Sequence, residues 1–118
     1  MTRPALLAVA LLASACDVRS RPQQRWVGQV TPTTAAPGCA ATRGVLLMRE
    51  TDVVFAPDEG TWVLYGTARP GTLTAAAGRI GADKKPYDTT LEANWTEAEV
   101  TGTYTTPRCT YKVTLTRR

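Results

Sequence analysis

The sequence predicts an all-β domain, an antiparallel up-and-down meander of about eight short strands that closes fully or partly into a small β-barrel. Three observations carry this. Apolar and polar residues alternate in the C-terminal third: Tyr87, Thr89, Leu91, Ala93 and Trp95 share one face, and Asp88, Thr90, Glu92 and Asn94 share the other. Short Pro- and Gly-containing links separate the apolar stretches. No segment after the first fifteen residues keeps a helical period over ten or more positions. A two-sheet sandwich is the alternative architecture.

The first element is a leader. Met1 to Arg3 carry a positive side chain and the amino terminus, and Ala5 to Ala13 give about nine apolar residues. A transmembrane helix takes about 20, so this stretch fits the apolar region of a secretory signal, with Ala13-Ser14-Ala15 supplying small residues at the cut. No later stretch is long enough to span a membrane as a helix. Residues 1–15 are therefore expected to be a signal peptide. Asp17 to Arg25 is polar and lacks apolar periodicity, so residues 16–25 read as a tether and 26–118 as one domain.

Ser14-Ala15-Cys16 resembles the lipobox of bacterial lipoproteins. In that family the cysteine thiol receives a diacylglycerol and the new amino terminus is acylated. The resemblance implies that Cys16 is the lipid attachment point. Ala13 departs from the pattern, which prefers Leu there, and the nearest leucine, Leu12, lies one place early. Ala13-Ser14-Ala15 is equally an ordinary cleavage site. Both readings cut before Cys16 and differ in whether it carries palmitate-type acyl chains or is simply the first residue of a soluble exported protein.

Expected strands follow at 25–30, 41–49, 52–56, 61–68, 71–80, 87–95, 100–104 and 109–117. The links are Pro57-Asp58-Glu59-Gly60, Arg69-Pro70-Gly71-Thr72, residues 81–86 and residues 105–108. Thr, Val and Tyr dominate the last three strands, and these residue types suit a pleated, half-buried surface. Eight consecutive strands joined by hairpin-length links form a meander, and closure into a barrel removes the exposed edges.

Of the three cysteines, Cys39 and Cys109 both open expected strands. Cys39 is in phase with Val45 and Leu47, and Cys109 with Tyr111, Val113 and Leu115. Both phases are taken as core faces. A closed meander brings its last strand beside its first, so a Cys39–Cys109 disulfide is expected to staple the seam. Lipidation of Cys16 leaves this even pair, and an oxidising compartment favours the bond.

Composition narrows function by exclusion. The chain carries 14 Lys plus Arg against 10 Asp plus Glu, a net charge of +4, with no concentrated basic run of the kind nucleic-acid binders use. Histidine is absent, which removes Ser-His-Asp and Cys-His catalysis and the commonest transition-metal ligand. No phosphate-binding glycine motif is present. Asp58 and Glu59 are adjacent in a turn, Glu97 and Glu99 read as surface acids, and Lys84 and Lys85 read as loop charge or a contact patch. No cofactor, metal or catalytic residue is expected.

Trp26-x-Gly28, Cys39, Gly102-x-Tyr104 and the terminal Cys109-x-Tyr111-x-Val113-x-Leu115-x-Arg117 together resemble small proteobacterial envelope lipoproteins of unknown function. The resemblance implies a fold and no activity. The expected protein is a monomeric, non-enzymatic module of the cell envelope, lipid-anchored and facing the periplasm, with an envelope protein or peptidoglycan as candidate partner. Which membrane holds it stays open. Two alternatives remain: a carrier of a small apolar ligand inside a barrel lined by Tyr87, Trp95, Tyr104 and Tyr111, or a protein like the lysozyme inhibitors. The latter share the barrel and the disulfide, but their Ser-Gly-x-x-Tyr stretch is missing here.

Overall fold

The computed structural model describes residues 23–33, 36–59, 62–81 and 83–118. The expected signal peptide, Cys16 and most of the tether lie outside these residues.

Eight strands run in chain order: β1 (Gln24–Pro32), β2 (Thr42–Arg49), β3 (Asp52–Ala56), β4 (Leu64–Arg69), β5 (Thr72–Ile80), β6 (Pro86–Trp95), β7 (Glu99–Thr105) and β8 (Thr110–Arg117). Each pairs antiparallel with the next, and β8 returns to pair with β1, closing the barrel. The expected meander is thus a closed barrel, neither half-open nor a sandwich. Closure is well made. Val30 lies opposite Val113 and Gly28 opposite Leu115, and Arg118 N–H donates to the Arg25 carbonyl at 2.8 Å beyond the ladder.

Inward side chains form one contacting core. Trp26 and Val30 of β1 meet Leu46 and Met48 of β2, Val53 and Phe55 of β3, and Leu64 and Ala68 of β4. Leu73, Leu91, Val100, Tyr104, Val113 and Leu115 complete it from the other side. Small residues face large ones. Across β4 to β8 one register row reads Gly66, Ala75, Leu91, Tyr104, Tyr111, so the barrel tapers from open backbone to stacked rings. Gly28, Gly66 and Gly102 mark close approaches between strands. A Cβ on Gly66 would collide with the Thr74 carbonyl and the Ala75 Cα, and one on Gly102 with the Glu92 carbonyl and Ala93. Glycine there lets the neighbouring backbone close in, which is how a small barrel turns its corners. Gly66→Ala is expected to cost about 1–3 kcal/mol, the usual range for overpacking. In urea unfolding the midpoint should fall with the slope unchanged. An unaltered midpoint would show that the two strands are not so close.

Two expectations are corrected. On β2 the core face is Leu46 and Met48, while Val45 and Leu47 are half-buried on the outer side. Residues 45–48 read V-L-L-M, an unbroken apolar run in which period 2 selects no face. The choice comes from pairing, which sets Leu46 opposite the buried Trp26. Cys39 therefore has no strand phase. It lies before β2, in a link turned by Pro37 and by Gly38 at φ 87°. The fourth strand begins at Leu64 instead of Thr61, which lengthens the link between β3 and β4.

The meander gives the barrel two unlike ends. β1 enters at the end that carries the links 50–51, 70–71 and 96–98, called the hairpin end below. The described residues of the longer links, 33 and 36–41, 57–59 and 62–63, and 81 and 83–85, stand with 106–109 at the opposite loop end. The hairpin end is closed by indoles. Trp95 packs edge-on against Trp26 with centroids 6.1 Å apart, and the Arg117 guanidinium lies 5.2 Å from the Trp26 ring centroid.

Candidate binding surface at the loop end

The disulfide organises the loop end. Cys39 and Cys109 are bonded, with Cα atoms 5.8 Å apart across 70 residues of sequence. The bridge ties the link after β1 to the turn before β8, so it staples the closing seam as expected, although Cys39 gets there from a loop. That turn is self-braced. Thr106 N–H donates to the Cys109 carbonyl at 2.9 Å, and Thr106 Oγ1 accepts from Cys109 N–H at 3.0 Å. Thr33 holds the neighbouring loop, donating through N–H and Oγ1 to the Thr110 carbonyl at 2.8 and 3.0 Å.

Across from this turn, Gly81 and residues 83–85 make a tight set of backbone contacts. Gly81 N–H donates to the Lys85 carbonyl at 3.0 Å, Lys84 N–H to the Gly81 carbonyl at 2.9 Å, and Lys85 N–H to Asp83 Oδ1 at 3.1 Å. Lys84 takes φ 64° to make the bend. Between the two loops lies a cleft of about 690 Å³, whose walls include Tyr87, Tyr111, Lys85, Arg108, Asp83 and the prolines Pro86 and Pro107. Such a volume is typical of small-molecule sites.

The four aromatics expected to line the interior part company here. Trp95 sits at the hairpin end, where its Nε1–H is shared between the carbonyls of Arg69 at 2.8 Å and Thr72 at 3.1 Å. It braces the turn between β4 and β5. Tyr104 is buried in the core, edge-on to Phe55 at 5.7 Å and tilted against Trp62 at 6.4 Å. Tyr111 stacks on Tyr104 at 5.3 Å with planes 26° apart, and with Tyr87 it reaches the cleft. Tyr104 and Tyr111 thus run from the core to the loop end, where Tyr87 joins them at the cleft.

Comparison of the chain with protein-family models, with curated proteins and with solved structures finds no match.

Of the charged candidates, Glu59 pairs with Arg43 at 3.0 Å on a half-exposed surface, where such pairs contribute little. Among the described residues no cluster of three or more acidic, Cys or His side chains could hold a metal ion. Glu97 and Glu99 are exposed at the hairpin end, far along the strands from the cleft. Lys85 is the sequence candidate that the fold brings beside Tyr87 and Tyr111. Arg108 was not singled out in the sequence. Its position next to Cys109, in a turn that the disulfide must hold at the seam, is the signal that points to it.

Proposed function

We propose that this chain is an exported, lipid-anchored envelope module, not an enzyme, that holds its partner with the loop end of the barrel. The observation that carries this reading is the polarity of the fold. The chain enters β1 at the hairpin end, so a tether on Cys16 would hold that end toward the membrane. The longer links, the disulfide and the cleft stand at the opposite end. The continuous packed core supports recognition at the surface over carriage of an apolar ligand inside. Binding residues on loops held by a rigid scaffold are a common arrangement.

The test is site-specific photo-crosslinking in intact cells. A crosslinking residue at the exposed Lys84 position should give a discrete adduct, and one at the exposed Glu97 position should not. Adducts from Glu97 alone would reverse the orientation. Mass spectrometry of the mature protein should find acyl chains on Cys16. A bare cysteine would leave a soluble exported module.

A further inference from the structure

We infer that the loop-end cleft is a saccharide site selective for glycans that carry carboxylates. This names a ligand class for the surface proposed above and rests on that reading. Three features point to it. First, the cleft offers two half-buried tyrosine rings, flat apolar faces against which the C–H face of a pyranose can lie. Tyr111 is held from behind by Tyr104, itself buried and packed on Phe55. Tyr87 rests against Gly81, where an added Cβ would lie 3.5 Å from the ring. Rings fixed before binding lose little freedom when a ligand arrives.

Second, Lys85 and Arg108 reach the cleft from different loops. Among the described residues neither side chain makes an ion pair or hydrogen bond. The acid in the lining, Asp83, already accepts the Lys85 N–H at 3.1 Å within its own loop. The lining therefore carries two cations against one carboxylate, a net positive charge. A guanidinium takes a carboxylate through two parallel hydrogen bonds, a geometry suited to a uronic or lactyl acid on a sugar.

Third, every strand of the barrel is paired on both sides. A peptide partner has no free edge to extend by main-chain pairing, the common route to peptide affinity. A nucleic acid strand needs a cationic track along its backbone, and the two cations of this lining, Lys85 and Arg108, do not make one.

The experiment titrates the mature, oxidised chain with tetragalacturonate and, separately, with a soluble disaccharide muropeptide, following amide shifts by NMR. Cellotetraose, tetraglutamate and a single-stranded oligonucleotide are the comparison ligands. The expected result is binding of a carboxylated saccharide, with shifts centred on Tyr87, Lys85, Arg108 and Tyr111. The acid that binds identifies its source, a uronate polymer or murein. Arg108→Gln should weaken it roughly ten- to a hundredfold, the range for one charge-assisted hydrogen bond. Tyr111→Ala should remove measurable binding, while Lys112→Gln, exposed on β8, should change nothing. Thermal melts confirm that each variant is folded. Equal affinity for cellotetraose, tighter binding of tetraglutamate or the oligonucleotide, or indifference to Arg108→Gln overturns the inference. If no saccharide binds while the Lys84 crosslinker captures a protein, the ligand class falls and the loop-end reading stands. Saccharide shifts confined to the hairpin end would remove both.

Discussion

Replacing Cys39 and Cys109 together by serine should lower the melting temperature by roughly 15–30 °C. The bridge spans 70 residues, and in the chain-entropy model a loop of that length stabilises the fold by about 4 kcal/mol. For a domain of this size each kcal/mol moves the midpoint by about 4–8 °C. The effect is large because the ring closed by the bridge contains six whole strands, β2 to β7, and most of the freedom of the unfolded chain is removed with them. Scanning calorimetry with Cys16→Ser in both proteins isolates the pair. The reduced parent should melt with the double-serine variant. A loss under about 5 °C would mean that the seam holds without its bridge.

Phe55→Ala should cost about 3–5 kcal/mol, as deletion of a buried aromatic does. Phe55 is fully buried on β3, and its ring supports Tyr104, on which Tyr111 stacks. The loss should therefore be felt at a distance. Near-ultraviolet circular dichroism from the tyrosine stack should weaken in the native state, and the amide of Tyr111 should shift although no atom of it was changed. Phe55→Leu fills part of the cavity and should recover part of the stability. A variant that loses stability while the tyrosine signals stay intact would show that the stack is held by its other neighbours alone.

The strand order and closure were readable in the sequence where the alternation was clean. Thr89, Leu91 and Ala93 are buried while Asp88, Glu92 and Asn94 are exposed. Arg69-Pro70-Gly71-Thr72 turned as expected, with Gly71 at φ 81°. The phase of β2 was not readable, because Val45 to Met48 are all apolar and the partner strand decides. The link between β2 and β3 was placed correctly at residues 50–51, but its geometry was not readable. It turns at Glu50 with φ 56°, where neither glycine nor asparagine announces a bend. The cleft was hidden for another reason. Lys85, Tyr87, Arg108 and Tyr111 come from two separate loop-and-strand pairs, and they meet through the bridge and the ladders, which no local pattern encodes.

The seam strand has a mechanical meaning. β1 is paired along seven positions with β2 and along seven with β8, and its hydrogen bonds lie across the strand direction. A pull on the chain ahead of Gln24, resisted by a partner gripping the loop end, acts along the strand. Both ladders of β1 then bear the load in shear, with many bonds strained at once instead of opening one by one. A force applied sideways would meet a far weaker molecule. Under such a load the barrel resists through both of its seam ladders together.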